Sequence, residues 1–564
     1  MLVGIDLGTT NSLIGVWREG RSQLIPNALG HLLTPSAVAL DEAGHTLVGL
    51  AARERAVAAP DSAQLGFKRW MGTDRSLPLG KRTLRAEELS AMVLQSLKAD
   101  AESFLGQPVH EAVITVPAYF NEAQRRATRQ AGELAGLKVE RLLNEPTAAG
   151  LAYGLQERPD HSAFLVFDLG GGTFDVSVLE YFEGVVEVRA SAGDTRLGGE
   201  DFSLVLARLF AEKALPAGER EAWLGGRQWL HMVEQGKREL GEAASAKLRM
   251  VWQGRELSQD LERASYERAC AELLQRLRRP IERALGDAQI DPAGLAEVVL
   301  VGGASRMPMV RQLVTRLFQR LPLRTIDLDQ AIAQGAAVLA GLKSRDIALQ
   351  EVVLTDVMPY SLGVVATESI QGRVINDRFS PIIERNTPVP VSREECYFTV
   401  RDNQTQVLID VRQGESPVGS ENLQLGTVEI EVPAAPAGQV RVDVRFSYDV
   451  NGLLDVDVRE SQTGKLRNAL IRTAQHEMSE DAVQAALAGL RELKRHPREE
   501  QENRYLIERA RRLFEDRLGE DRRWVQTCLS AFELVLDSQD ARVIRQARQT
   551  LREQLDHLDP GFRF

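Results

Sequence analysis

Two short turns of nearly the same make-up limit this chain more than any other feature of it. The first reads Ile5-Asp6-Leu7-Gly8-Thr9-Thr10-Asn11-Ser12, and the second Phe167-Asp168-Leu169-Gly170-Gly171-Gly172-Thr173-Phe174-Asp175. Each sets an apolar run before an Asp, a Leu, glycine and threonine, with apolar residues following. Glycine lets backbone N–H groups close on phosphate oxygens, threonine hydroxyls add donors, and Asp carboxylates hold Mg2+ through its waters. One such turn alone reads better as a hairpin whose glycine supplies only positive φ. Two matching turns in successive α/β stretches point instead to a duplicated fold that clamps a nucleotide triphosphate.

The surrounding pattern agrees. Val113, Ile114, Thr115 and Val116 predict a strand, Asn121 a helix N-cap, and Ala123, Ala127, Ala131 and Leu134 a helical stripe that Gly136 ends. Val298, Val299, Leu300 and Val301 predict a buried strand entering the turn Gly302-Gly303, with a helix after Pro308. Alternation of this kind through residues 1–350 argues for an α/β architecture. Beyond residue 355 the period becomes two. Val428, Ile430 and Val432 alternate with Glu429 and Glu431, and Val440, Val442, Val444 and Phe446 with Arg441, Asp443, Arg445 and Ser447. Asn451-Gly452 then predicts a two-residue type I′ hairpin before Leu454, Val456 and Val458. This segment is expected to be a half-exposed antiparallel β-domain. After residue 475 helical stripes return, in Val483, Leu487 and Leu490, in Leu506, Ala510 and Leu513, in Trp524, Cys528 and Phe532, and in Val543, Ala547, Leu551 and Leu555. They predict a small helical bundle.

Composition narrows the class. At about 150 residues per domain, 564 residues make three or four domains. With 43% hydrophobic and 26% charged residues the chain can bury large cores, which excludes a mainly disordered protein. Lys and Arg number 69 against 80 Asp and Glu, a net charge of −11, so a nucleic-acid partner, which needs a concentrated basic face, is not expected. The cysteines Cys270, Cys396 and Cys528 lie far apart without a CxxC pair, which excludes a disulfide scaffold or a cysteine zinc module and fits a reducing cytosol. The chain opens without a basic leader, and no run approaches the roughly 18 apolar residues of a membrane span, so a cytoplasmic location without membrane insertion is expected. HExxH, GxSxG and clustered histidines are absent, which sets aside metalloprotease, triad-hydrolase and zinc chemistry.

On residues 5–12, 114–125, 144–154, 167–175, 193–202, 300–308 and 356–363 the chain resembles the heat-shock protein 70 (DnaK-like) chaperones, within the actin-like ATPase superfamily. The resemblance covers essentially the whole chain. It implies a multidomain fold: an actin-like α/β ATPase domain of duplicated ribonuclease-H-like halves at 1–350, a linker at 351–356, a β-sandwich peptide-binding domain at 357–474 and a short α-helical lid at 475–564. It implies hydrolysis of Mg-ATP to ADP and phosphate, with ATP/ADP and Mg2+ as cofactors, coupled to binding and release of extended hydrophobic peptides. Carried over residue by residue, Asp6 and Asp168 face the Mg2+ shell, and Thr9, Thr10, Asn11, Gly170, Gly171, Gly172 and Thr173 clamp phosphates. Lys68 approaches the γ-phosphate and the attacking water, and Glu145, Asp175 and Thr173 complete the catalytic set. Such a site works by positioning and charge neutralisation.

The resemblance implies more at weaker positions. Glu234, Lys237 and Arg238 match the ribose and adenine wall, with Gly302, Gly303 and Arg306 opposite, although helical Glu, Lys and Arg also form plain surface pairs. Gly241 stands where the family usually has Ser. Pro117 and Arg125 match a proline switch and arginine relay, though Pro117 reads equally as a strand end. Val352, Val353, Leu354, Thr355 and Asp356 match the apolar linker, and Arg141, Asn144 and Asp356 match contacts for a J-domain co-chaperone. Val364, Tyr397, Val407 and Ile409 match the peptide pocket, an alternation that also describes ordinary core. Thr367 and Val400 replace the commoner Met and Ala of the arch over it. Compression at 72–87 and 212–261, and a tail without an acidic EEVD-like end, resemble the specialised bacterial HscC-type members and make the usual nucleotide-exchange factor doubtful. Two rivals remain. A non-chaperone actin-fold kinase or filament former would not need the β-domain. A nucleotide-binding exchange factor or holdase that no longer hydrolyses ATP would not need Asp6, Lys68, Glu145, Asp168 and Thr173 together.

Overall fold

In the computed structural model, which describes all residues except 155–158, 160, 183–184, 227, 324–325, 345–352, 371–372, 450–451, 472–496 and 559–564, each Gly/Thr/Asp turn joins two strands of its own sheet. The first sheet runs in the order Lys138–Asn144, Glu111–Val116, Leu2–Asp6, Asn11–Arg18, Arg21–Leu24. The second runs Leu295–Val301, Ser162–Leu169, Phe174–Phe182, Val185–Asp194, Val353–Thr355. In both, the strand entering the turn lies parallel to one neighbour and antiparallel to the strand leaving it. The same plan twice is the duplication that the paired turns predict.

These strands are apolar along their length because helices cover both faces. Val3, Ile5 and Ile114 pack with Leu89, Val93 and Leu97 of the helix Ala86–Leu105 in one core. Phe167 and Leu300 pack with Phe202, Leu206 and Phe210 of the helix Gly199–Ala214 in another. A third core joins the halves, setting Val113 and Val166 against Ala336 and Ala340 of the helix Ala331–Lys343. The helix Glu122–Leu134 begins as read: the Asn121 side chain accepts from Gln124 N–H in a reciprocal capping box, and Gly136 follows the helix at φ 72°. Leu134, expected on its buried stripe, is exposed.

The chain forms two compact units. One comprises Met1–Leu362 together with Glu384–Val389 and Gln413–Glu415; the other comprises Gly363–Ile383, Pro390–Arg412 and Ser416–Phe564. In the first, Arg385 pairs with Asp287 and Glu415, and Asn386 Oδ1 accepts from the Ser191 N–H at 3.0 Å.

The second unit contains two four-stranded sheets, ordered Arg373–Ile383, Leu362–Ile370, Gln406–Gln413, Leu423–Glu431 and Val391–Phe398, Arg441–Tyr448, Leu454–Glu460, Leu466–Ile471. The alternation places Val442, Val444 and Phe446 inside as read, but the opposite face is not simply wet. Asp443 and Ser447 are buried too, because Arg441, Arg459 and Ser461 bond Asp443 and the Ser392 hydroxyl meets that of Ser447. The hairpin after Tyr448 also departs from a two-residue turn. Its strands are joined by residues 449–453, Asp449 N–H donates to Leu453 O, and Gly452 has φ 87°; Asn451 lies outside the described residues.

The helices Gln501–Asp516, Gly519–Asp537 and Ala541–Leu558 form the bundle, around Leu506, Ala510, Leu513, Phe532, Leu551 and Leu555. Trp524 and Val543 are exposed, and their neighbours Val525 and Ile544 take the core positions instead. The stripe read at Val483, Leu487 and Leu490 lies outside the described residues. All three cysteines are free, and among the described residues no helix is long and apolar enough to cross a membrane.

Candidate functional site

The two turns face each other. A Cβ on Gly171 would overlap the Thr10 hydroxyl, and one on Gly172 would lie 2.7 Å from Thr9 Cγ2, so only glycine lets them approach so closely. The second turn is tied by Gly170 N–H donating to Thr173 O at 3.1 Å. It is buttressed by the start of the helix Gly199–Ala214, where Gly199 and Glu200 N–H donate to Gly170 and Gly171 O. Thr9 and Thr173 are buried, Asn11 is half-buried and Thr10 exposed.

Four carboxylates converge behind these turns. Asp6 ends its strand and accepts from the Thr115 hydroxyl of the parallel neighbour at 2.9 Å. Asp168 and Asp175 pair in register across the second turn. Asp175 Oδ1 accepts from Tyr119 N–H at 3.0 Å, and Glu145 starts the helix Glu145–Ala152. Lys68, on the 3-10 turn Phe67–Trp70, donates to Glu145 at 2.9 Å with both side chains buried. Loss of water, and then the Glu145 charge, push the Asp6 carboxyl up to about 7 and Asp175 up to about 8; Asp168 is raised well above its ordinary value for the same reasons. Lys68 opposes all three shifts.

This donor set fits a hard divalent cation. Asp168 Oδ2 is buried without a hydrogen-bond partner, and a cation there would favour the charged forms of these carboxylates.

The family model described as Hsp70 protein matches residues 2–79 and 75–559. The chain belongs to the Hsp70 family. It is 38% identical to Chaperone protein DnaK 1 of Synechococcus sp. over 609 residues, covering 99% of this chain and 79% of that one. It is 40% identical to Chaperone protein DnaK of Thermotoga petrophila over 501 residues, covering 86% of this chain and 82% of the relative. The protein is therefore an ATP-dependent molecular chaperone with ATPase activity, of a family that binds ATP and ADP with Mg2+.

The residues that the Hsp70 resemblance assigns to adenosine lie on two walls near Gly199. A Cβ there would sit 3.2 Å from Ala304 Cβ and 3.5 Å from Lys237 Nζ. On one wall Lys237 donates to Gly199 O and Ser203 Oγ and pairs with Glu234, which also pairs with Arg238. On the other, Gly302 has φ 79° and Arg306 pairs with Asp327 and Asp329. Nothing stands within 4 Å of a Cβ placed on Gly241.

The candidate relay residues come together. Arg125 donates to the carbonyls of Ala118 and Phe120, just beyond Pro117, and to Asn144 Oδ1 at 2.6 Å. Asn144 Nδ2 donates in turn to Asp356 Oδ1 at 3.0 Å, and Arg141 lies 3.6 Å from Asp356 Oδ2. The backbone of Val353–Thr355 pairs with Val185, Val186 and Glu187 as the edge strand of the second sheet. Val352 lies outside the described residues.

In the second unit the four peptide-pocket candidates are unequal. Val364 and Ile409 are buried, while Tyr397, whose hydroxyl meets that of Ser380, and Val407 are half-buried. Thr367 Oγ1 donates to Asn376 Oδ1 at 3.2 Å, and Val400 is half exposed beside the exposed Phe398.

Sequence reasoning missed Thr115, Tyr119 and Thr147, whose hydroxyl donates to Asp356 at 3.0 Å, as well as Arg69, Asp201 and Asp329. Thr115, Thr147 and Asp201 were findable, since each sits inside a motif already singled out; Asp329 carries no such mark.

Proposed function

We propose that this chain hydrolyses Mg-ATP between the two turns and uses the cycle to control a clamp on extended apolar peptide segments. The observation that carries the reading is the facing pair of glycine turns backed by Asp6, Asp168, Asp175 and the Lys68–Glu145 pair. Bound between them, Mg2+ would supply charge neutralisation for the phosphates. Thr9, Thr10, Asn11 and the Gly170 to Thr173 turn hold phosphate oxygens; Asp6 and Asp168 hold the cation's waters. Lys68 meets the charge that grows on the transferred phosphoryl group, and Glu145 and Asp175 orient the attacking water. Lys237, Glu234 and Arg238 face Gly302, Gly303 and Arg306 across the nucleoside. The domain division 1–350, 351–356, 357–474 and 475–564 belongs to the same proposal, with Val364, Tyr397, Val407 and Ile409 as the peptide pocket and a cytoplasmic location.

The test is direct. The purified chain is expected to hydrolyse ATP only with Mg2+, and ATP is expected to speed release of a fluorescent extended peptide. Release that ignores ATP would leave an ATPase without a coupled clamp.

A J-domain co-chaperone is expected to act through Arg141, Asn144 and Asp356, which meet at the linker end next to Glu145. Arg141→Ala should keep the basal ATPase rate and lose most stimulation by a J-domain. Equal stimulation of variant and wild type would remove Arg141 from that surface.

A further inference from the structure

Arg69 follows the proposed catalytic lysine yet turns away from its carboxylates. It sits on the Phe67–Trp70 turn, whose Phe67 packs in the core of the first half. Its Nη2 reaches Asp201 Oδ2 at 2.5 Å and its Nε lies 3.4 Å from Glu200, both on the first turn of the helix Gly199–Ala214 in the second half. Asp201 Oδ2 also accepts from Gly198 N–H at 2.8 Å. Gly198 lies so close to the second phosphate turn that a Cβ there would stand 2.5 Å from Gly171 O and Gly172 N. The guanidinium itself borders both turns, with Arg69 Nε 2.9 Å from the position of a Cβ on Gly172, which would also lie 2.9 Å from Thr9 Oγ1.

We propose that Arg69 is a positioning residue that fastens the turn carrying Lys68 to the second phosphate turn through Asp201, and so sets how long ATP and ADP stay bound. The inference rests on the ATP-site reading above and adds a residue to it. The arrangement is a crossbar between halves. The fork of a guanidinium serves two carboxylates at once, and Asp201 passes the restraint through Gly198 to the turn that holds phosphates. In this proposal nucleotide leaves as the halves part, and parting breaks the charge-assisted pair of Arg69 with Asp201. Hydrolysis within the closed site uses Lys68 and Glu145, which Arg69 does not touch.

Stopped-flow release of fluorescent ATP and ADP from the full chain, beside single-turnover hydrolysis of saturating ATP, separates the two effects. Arg69→Ala is expected to speed release of both nucleotides by about tenfold, a larger change than it makes to hydrolysis of bound ATP. Arg69→Lys, which can serve one carboxylate but not both, should fall between. Asp201→Asn should also speed release, and the double variant should be no faster than Arg69→Ala, since both remove one interaction. If Arg69→Ala does not fold, Arg69→Lys and Asp201→Asn carry the same comparison. Unchanged release, additive effects in the double variant, or a loss of hydrolysis larger than the change in release would overturn the proposal. A wild-type chain that binds no Mg-ATP would instead sink the ATP-site reading beneath it.

Discussion

Lys68→Ala is expected to slow hydrolysis of bound ATP by about a hundred- to a thousandfold, the cost of removing one charged donor from a developing oxyanion, about 3–4 kcal/mol. The geometry explains why no neighbour can substitute. Lys68 is buried and its ammonium is held at 2.9 Å by Glu145, and it opposes the crowding of Asp6, Asp168 and Asp175, joined by Arg125 at Asp175 alone. Arg69 is committed to Asp201. Removing Lys68 also leaves Glu145 without the partner it has here, and breaking a buried pair costs about 3–5 kcal/mol of stability. Thermal unfolding without nucleotide should therefore drop as well. The rate is read on the nucleotide-bound fraction by single-turnover quench, so a partly unfolded population does not mimic the result. Equilibrium binding of Mg-ATP should survive, because the site proposed above holds the phosphates with backbone N–H groups and with Thr9, Thr10 and Thr173, not with Lys68. A variant that hydrolyses within a few-fold of wild type would remove Lys68 from the catalytic set.

What the sequence made legible follows from where physical constraint leaves a mark on residue type. Gly171 and Gly172 are marked because a side chain there would collide with Thr10 and Thr9. The strands are marked because burial on two faces demands apolar runs, and Asn121 because a cap needs a short acceptor. Lys68 and Glu145 carry no local mark; they were found through the ordered set of motifs around them. The Arg69–Asp201 and Thr147–Asp356 contacts were missed because each joins positions far apart in the chain, and an Arg or Asp on a helix usually signals only solvent. Errors of a different kind fell at Leu134, Trp524 and Val543, each exposed while the residue after it, Ala135, Val525 or Ile544, is buried. Periodicity gives the spacing of a buried stripe, but a slip of one residue in its phase moves a side chain off the face that packs. The buried Asp443 shows the same limit in a strand: alternation assigned it to water, and Arg441, Arg459 and Ser461 enclose it instead.

Val353→Asp is expected to abolish the acceleration of peptide release by ATP while leaving peptide affinity without nucleotide near wild type. The backbone of Val353–Thr355 forms the edge strand of the second sheet, in parallel register with Val185, Val186 and Glu187. The next residues anchor it at both chemistry and core. Asp356 is held by Asn144, Thr147 and Arg141 directly beside Glu145, and Val357 is buried with Val186 and Val188. A strand paired in this way is placed to carry a signal from the proposed catalytic end, because Asn144 and Thr147 flank the glutamate that Lys68 grips. Coupling requires a second state in which the strand is released, and a contact that differs between the two. The parallel backbone pairing with Val185, Val186 and Glu187 is such a contact, made only while the strand is docked. An aspartate is a poor strand residue, and it penalises only the docked state. A penalty of about 3 kcal/mol moves a docked-to-free ratio by more than a hundredfold, enough to erase a switch. Off-rates of a fluorescent peptide, with and without ATP, decide the matter. Val353→Ala should weaken the acceleration without removing it, because it shortens the side chain but adds no charge. If ATP still speeds release from the Val353→Asp chain as it does from wild type, the strand is a tether and the signal from Glu145 leaves by another route.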